Sequence, residues 1–159
     1  MKDKKLNKED IKSLEDFRRK YNEIYYQIND ILIKKTDNFD SVAVDTWVSF
    51  DDSRPTDDCI PLIKFENSKF IYSLSERGKE IERVESCDPY EIMFIIFENI
   101  TSEMASDFEL KNRVEKQDHR RILFSKQLEL LSMIDEKWSE KQKKHFDKIL
   151  EEHPFIDQL

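Results

Sequence analysis

A single glycine in 159 residues is the feature of this sequence that most limits its fold. Glycine and proline form most sharp turns, and the chain has one glycine and four prolines, while 39% of its residues are charged. These features favour a helix-rich globular protein over a β-sandwich or a β-barrel. They also exclude the Walker and Rossmann phosphate loops, which need several glycines.

The apolar residues near the start of the chain repeat with helical spacing. Between Lys8 and Ile33 they recur every third or fourth position, at Ile11, Leu14, Phe17, Tyr21, Ile24, Tyr25, Ile28 and Leu32. This pattern predicts an amphipathic helix within residues 1–35. Asn7 is the predicted N-cap, because its side chain can accept a hydrogen bond from the first turn.

Residues 36–86 show the spacing of strands. Apolar or β-branched residues alternate with small or polar ones at Val42, Val44, Thr46, Val48 and Phe50. Short β-favouring runs follow at 60–65, 69–75 and 79–84, the last after Gly78. The region therefore predicts an antiparallel meander of about four strands, in which Gly78 has a positive φ.

Residues 87–153 predict three helices. Asp88 is the expected cap of the first, with Pro89 at its first position and Glu91 reaching back to the cap. Asp135 is the expected cap of the last helix.

The order of these elements predicts the fold class. A helix, a meander and then three helices indicate an α+β protein in which the three helices pack on one sheet face. Residues 1–159 are expected to form a single domain, in which residues 1–35 form the N-terminal helix, residues 36–86 the meander and residues 87–153 the helical part.

The sequence predicts neither a signal peptide nor a membrane-spanning helix. Its first ten residues are lysine-rich without an apolar run behind them, and Ile92 to Phe97 is far too short to cross a bilayer. A cytoplasmic protein without a membrane span is predicted. Cys59 and Cys87 are expected to stay reduced and to be small buried hydrophobes.

Few residues are arranged for chemistry. His145 and His153 lie two helical turns apart and no Cys-x-x-Cys pair exists, so neither a metal nor a cofactor is expected. No nucleophile motif appears, which predicts a protein that is not an enzyme. One alternative is a small enzyme that uses Glu80 and Glu82, predicted to share a strand face, or His119 as a base.

The net charge of −8 disfavours direct contact with nucleic acid and suits a basic protein partner. Much of the charge lies in one stretch, the acidic arm (residues 37–58), whose only basic residue is Arg54. Phe39, Trp47 and Phe50 are interleaved with its aspartates as candidate aromatic anchors. The alternative interpretation of the acidic arm is a solvated loop beside an edge strand. The candidate contact residues are Asp45, Trp47, Asp51, Asp52, Arg54, Asp57 and Asp58.

A longer pattern begins at Glu76-Arg77-Gly78-x-Glu80-x-Glu82-Arg83. It continues in order through Phe97-Glu98-x-Ile100-Thr101, Met104-Ala105, Phe108-Glu109-Leu110-Lys111-x-Arg113, Gln117-Asp118-x-Arg120-Arg121, Lys126-Gln127-Leu128-Glu129-Leu130-Leu131, Trp138 and His153-Pro154-Phe155. From Ile60 onward the chain resembles the Immunity protein 63 family of bacterial polymorphic-toxin systems. The resemblance implies a non-catalytic cytoplasmic protein that binds a cognate secreted toxin and protects the producing cell.

The motif residues are expected to be structural, forming ion pairs that hold the helices and the meander, and contact with the toxin is the alternative role. They are Glu76, Arg77, Gly78, Glu82, Arg83, Glu109, Arg113, Asp118, Arg120 and Arg121. A nuclease is one candidate toxin, because a groove that holds phosphate must be basic. A regulatory scaffold that binds host proteins through the Tyr25 and Tyr26 face of the first helix is a further alternative.

Overall fold

The computed structural model describes residues 5–35, 47–53 and 59–158. In these residues the chain forms four helices and one three-stranded antiparallel sheet, which confirms the α+β class. The chain divides into two compact units. We call residues 9–96 the sheet unit, and residues 1–8 together with 97–159 the helical unit. The single domain over residues 1–159 stays a prediction.

Helix α1 (Leu14–Lys35) begins later than the apolar spacing predicts. Ser13 precedes it, and the Ser13 Oγ accepts a hydrogen bond of 3.1 Å from the backbone NH of Asp16. The predicted cap at Asn7 is therefore wrong. Ile11, which extended the helical pattern toward the N-terminus, is buried without being helical.

The sheet is a meander of three strands in the order β1 (Leu62–Glu66), β2 (Lys69–Glu76) and β3 (Lys79–Ser86). Both connections are two-residue turns, and all four turn residues have positive φ: 51° and 60° at Asn67 and Ser68, then 50° and 76° at Arg77 and Gly78. Such primed turns match the right-handed twist of hairpin strands. The positive φ predicted at Gly78 is confirmed.

The strand predicted over residues 42–50 is not found in the described part of the chain. Three of the residues that predicted it, Val42, Val44 and Thr46, lie outside the described residues. Ser49 makes one isolated parallel bridge with Leu62. The described sheet therefore has three strands rather than about four.

The core of the sheet unit lies between α1 and one face of the sheet. The Phe17 ring stacks on Phe70, with ring centroids 5.3 Å apart. Burial of such a side chain contributes about 1.5–3 kcal/mol. The largest buried side chains of this unit are Phe17, Tyr21, Ile24, Tyr25, Ile28, Ile63, Phe70, Tyr72, Ile92, Met93 and Ile96.

The three remaining helices are α2 (Pro89–Lys111), α3 (Arg120–Ile134) and α4 (Glu136–Glu152), and residues 97–111 of α2 belong to the helical unit. The caps predicted for the first and the last of them are confirmed. Asp88 Oδ1 accepts a 2.9 Å bond from the Tyr90 NH, and Asp135 Oδ1 accepts a 2.8 Å bond from the Lys137 NH.

Glu91 does not reach back to the cap of α2 as predicted. Its Oε2 accepts a 2.5 Å hydrogen bond from the Ser86 hydroxyl instead. The Ser86 Oγ in turn accepts a 3.0 Å bond from the backbone NH of Asp88. Ser86, at the end of β3, thus binds the Glu91 carboxylate that the sequence analysis assigned to the cap of α2.

The helical unit is held by aromatic stacking and by buried polar bonds. Phe124 stacks on Phe146 with centroids 3.8 Å apart, and Phe97 lies 6.2 Å from the Trp138 ring. The Ser139 hydroxyl of α4 donates a 2.9 Å bond to the Leu128 carbonyl of α3. The predicted packing of all three helices on one sheet face stays a prediction.

Both cysteines differ from the expectation that they are buried. Cys59 and Cys87 are free and exposed. Each lies just before a strand or a helix, at a connection where the backbone runs over the surface. None of the described helices has the length and apolar character that a membrane-spanning helix requires.

Candidate functional site

The two units differ in net charge. Residues 9–96 contain 12 Lys and Arg against 20 Asp and Glu, whereas the helical unit contains 15 of each. The whole net charge of −8 therefore belongs to the sheet unit. Its surface is the one that a basic partner would seek.

Only part of the predicted contact surface lies in the described residues. Four of its seven residues lie outside them: Asp45, Arg54, Asp57 and Asp58. Asp51 and Asp52 are exposed. Asp51 Oδ1 accepts bonds of 2.9 and 2.5 Å from the NH and the hydroxyl of Ser53, while Asp52 Oδ2 lies 3.8 Å from Lys64 Nζ. Asp51 thus orders a turn, and the Asp52 charge is only loosely paired.

Two of the three aromatic residues of the arm, Trp47 and Phe50, are described and pack against the protein, whereas Phe39 lies outside the described residues. Phe50 lies 6.3 Å from the Phe17 ring and 5.9 Å from the Tyr21 ring, measured between ring centroids. The Arg18 guanidinium carbon lies over the Phe50 ring, 5.5 Å from its centroid. Phe50 therefore serves as a packing residue of the sheet unit, where the sequence proposed an anchor.

Trp47 is half-buried beside α1. Its indole NH is buried and makes no well-formed hydrogen bond within the described residues, although the Tyr25 hydroxyl is its neighbour. Burial raises the pKa of Tyr25, and the contact with Trp47 opposes that rise. Tyr25 is itself buried while Tyr26 is exposed, so the two tyrosines do not form one surface face.

A bulge in β3 separates the two carboxylates that were expected to share a face. Leu74 pairs with Glu82 and Ser75 pairs with Glu80, which leaves Ile81 as an extra residue. Glu80 bonds to Ser73, whose side chain points to the face opposite that of Leu74. The predicted shared face of Glu80 and Glu82 is therefore wrong.

Glu80 belongs to a network on the outer sheet face. Its Oε1 accepts a 2.6 Å bond from the Ser73 hydroxyl and a 3.1 Å bond from Arg83, which also donates a 2.9 Å bond to Glu85. The Ser73 hydroxyl and then Arg83 lower the pKa of Glu80. A general acid at neutral pH needs a raised pKa, so this environment does not suit one.

The motif residues of the meander lie toward the tip of the β2–β3 hairpin. Glu76 ends β2, Arg77 and Gly78 form the turn, and Glu82 and Arg83 lie in β3. All five are exposed. Their predicted role in tying the meander to the helices stays a prediction.

In the helical unit Glu109 and Arg113 form a two-point ion pair. Arg113 Nε and Nη2 each donate a 2.9 Å bond to the Glu109 carboxylate, which is 3% exposed. The Arg113 bonds lower the pKa of Glu109 and those to Glu109 raise that of Arg113. The pair closes the C-terminal end of α2.

A second cluster, the tail clamp (Asp118, Arg120, Arg121 and Asp157), attaches the C-terminal tail to the start of α3. Arg120 donates to Asp118 at 2.7 and 3.1 Å and to the carbonyls of His153 and Pro154 at 2.9 Å each. Arg121 donates to Asp157 at 3.0 and 3.1 Å.

Asp118 accepts bonds from both directions in this clamp. Besides Arg120, the backbone NH of Ile156 donates to its Oδ2 at 2.9 Å, while the Asp118 NH donates to Asp157 at 2.8 Å. The Arg120 side chain, followed by the Ile156 NH, holds the pKa of Asp118 far below its usual range. The clamp orders a short tail against the rest of the unit.

His119 is placed poorly for a base. Its side chain is 61% exposed, and its Nδ1 lies 4.0 Å from an Asp118 oxygen that Arg120 already occupies. In the described part of the chain no group of three or more His, Cys, Asp or Glu side chains is placed to hold a metal ion.

Sequence reasoning missed two features of these sites. Asp157 was not expected to act, because its partners Asp118 and Arg121 are 39 and 36 residues away in the chain. The exposure of Ile81, at 56%, depends on the bulge. The short run after Pro154 was the one signal for a tail, and nothing in the alternation of β3 indicated the extra residue.

The pattern recognised in the sequence agrees with a comparison against known families. The family described as Immunity protein 63 matches residues 66–148, which is 83 of the 159 residues. No curated protein and no solved structure matches the chain. The match covers β2, β3, α2, α3 and most of α4, so it spans residues of both units. The chain therefore belongs to the Immunity protein 63 family.

Proposed function

We propose that this protein binds a cognate secreted toxin in the cytoplasm of the producing cell and neutralises it without catalysis. The observation that carries this proposal is the family match over residues 66–148. An immunity protein acts by covering a surface of its toxin, and no cofactor takes part in such an interaction. Neither Glu80, whose pKa is lowered, nor the exposed His119 supports the alternative of an enzyme.

The charge of the sheet unit supports a basic toxin surface as the partner. Opposite charges speed the encounter of two proteins, and salt screens this attraction over about 10 Å at 0.1 M. A toxin nuclease fits, since its groove must attract phosphate. The acidic arm is the predicted contact, with Asp51 and Asp52 as its exposed aspartates in the described residues.

The test compares two double charge reversals. Asp51→Lys with Asp52→Lys changes the sheet unit, and Glu151→Lys with Glu152→Lys makes the same change at an exposed pair in the helical unit. The partner is a toxin domain encoded in the same gene neighbourhood. The first variant is expected to bind it at least about tenfold more weakly and with less salt dependence, and the second within about twofold of the unmodified protein.

Two results would contradict the proposal at different levels. An unmodified protein that neither binds the toxin domain nor protects cells expressing it would reject the immunity function for that pair. Equal loss of affinity in both variants would reject the sheet unit as the preferred surface, because the effect would then follow total charge. Circular dichroism of each variant checks that the fold is kept.

A further inference from the structure

The distal half of the β2–β3 hairpin is unusual in being exposed on both faces. Every residue from Glu76 to Arg83 is exposed. In β3 only Val84, which is half-buried, and Ser86, which is buried, are sheltered. A sheet in a globular protein normally buries at least one face. The hairpin tip therefore projects from its unit instead of contributing to the core.

The turn and the bonds behind it favour a single conformation of this tip. A two-residue primed turn closes it at Arg77 and Gly78, whose φ values are 50° and 76°. Behind the turn Arg83 bonds to both Glu80 and Glu85. A preformed element loses little conformational entropy on binding, which favours affinity.

The bulge decides which side chain the tip offers. Because Ile81 has no pairing partner in β2, it stands outside the regular alternation, and it is 56% exposed. Glu82 follows it and makes no ion pair with any described residue, while Glu80 and Glu85 are both occupied by Arg83. In β3 the tip thus presents one apolar group beside one carboxylate that makes no ion pair with a described residue. Nearer the turn, Glu76 and Lys79 occupy paired positions and carry opposite charges.

A second copy of the chain fits this strand poorly. In the antiparallel self-pairing centred on Glu82, two Glu82 side chains would face each other, and centring it on Arg83 would oppose two Arg83 side chains. The bulge further interrupts the edge ladder, a device that protects edge strands from pairing with each other. Both features disfavour a second copy of the chain and favour a different protein as the occupant of this surface.

We propose that the hairpin tip, residues 76–83, enters a cleft of the toxin domain, with Ile81 as its apolar anchor and Glu82 as its contact to a basic side chain. The inference rests on the proposed function and gives it a contact element. A convex, narrow tip requires a concave site with an apolar pocket and a positive rim. Such a rim is consistent with the charge of −8 on the sheet unit.

The test uses Ile81→Ser and Glu82→Lys, with Ile156→Ser as the matched control. Ile156 is an isoleucine in the helical unit that is 75% exposed. Calorimetry with a toxin domain from the same gene neighbourhood is expected to show at least tenfold weaker binding for each hairpin variant. The control is expected to bind within twofold of the unmodified protein. Amide hydrogen exchange of residues 79–84 is expected to slow in the complex.

The outcomes distinguish a failure of the hairpin contact from a failure of the immunity function. In one outcome the unmodified protein binds, and Ile81→Ser and Glu82→Lys keep the native circular dichroism spectrum and bind within twofold of it. The proposed hairpin contact is then rejected and the immunity function stands. If the unmodified protein does not bind, both are overturned. A dimer that Ile81→Ser dissociates would identify a second copy as the occupant and would also overturn the inference.

Discussion

The sheet unit and the helical unit use their charged residues in different ways. In the helical unit acidic and basic residues are equal in number, and its arginines make two-point bonds to Glu109, Asp118 and Asp157. In the sheet unit acidic residues exceed basic ones by eight, and Glu82 is left without an ion pair in the described residues.

This contrast separates charges that order the fold from charges available to a partner. Ion pairs at the surface contribute little to stability, about 0–1 kcal/mol, and the Arg113 and Arg121 side chains are 56% and 41% exposed, so these pairs mainly fix geometry. Its stability depends on its buried aromatic rings. Unpaired charge on the sheet unit adds nothing to stability, and the proposed contact with a basic toxin surface would account for it. Changes in the helical unit should therefore alter stability, and surface changes in the sheet unit should alter affinity.

The largest expected effect is in the core of the helical unit. Phe97→Ala removes a fully buried ring that lies beside Trp138, and we expect the free energy of unfolding to fall by about 3–5 kcal/mol. Urea titration followed by circular dichroism measures this, with Phe97→Leu as a control that should lose much less. A toxin affinity that fell with stability at 10 °C, where the variant stays folded, would break the contrast.

The next effect is at the turn of the hairpin. Gly78→Ala places a Cβ at φ +76°, where no neighbour lies within 4 Å but the backbone itself is strained. We expect a loss of about 1–2 kcal/mol. Gly78→Asn should lose less, because asparagine tolerates this conformation. Thermal unfolding of both proteins is the measurement, and equal losses would mean that contacts, not backbone strain, dominate.

A smaller effect is expected at a buried hydroxyl in the helical unit. Thr101 Oγ1 donates to the Phe97 carbonyl at 2.7 Å and accepts from Gln127 Nε2 at 3.3 Å. Thr101→Val should cost about 1 kcal/mol in urea titration, since Gln127 keeps its 3.0 Å bond to the Glu98 carbonyl. Thr101→Ser keeps the hydroxyl and should recover part of the loss. Unchanged stability in Thr101→Val would show that the bond adds nothing.

The smallest effect is the acid sensitivity of the tail clamp. The bond from the Arg120 side chain lowers the pKa of Asp118 in the folded protein, below the value of about 3.9 in the unfolded chain. The resulting stability is present above about pH 4 and is lost as the pH falls further, because the unfolded chain then binds more protons. Asp118→Asn removes the carboxyl group and therefore lacks this pH-dependent contribution to stability.

The measurement is the urea midpoint of both proteins between pH 7 and pH 2. The unmodified protein should be the more stable of the two at pH 7, and the difference should shrink below about pH 4. A difference that stayed constant with pH would show that the Asp118 charge is not what holds the tail.

Local signals accounted for the elements that the sequence predicted well. Asp88 with Pro89 and Asp135 both marked helix starts, and Gly78 marked a turn, because each acts on the backbone within a few residues. The start of α1 was predicted too early because Ile11 fits the helical spacing of apolar residues but is buried outside any helix.

The sequence by itself determined the α+β class, the caps of α2 and α4, the family and the excess of acidic residues. Only the tertiary structure decided which of those residues remain unpaired. Glu80 and Glu82 were separated by one extra residue in β3, and Asp118 met Asp157 across 39 positions. Caps and turns depend on near neighbours in the chain, whereas strand register and ion pairing depend on which distant segments fold together.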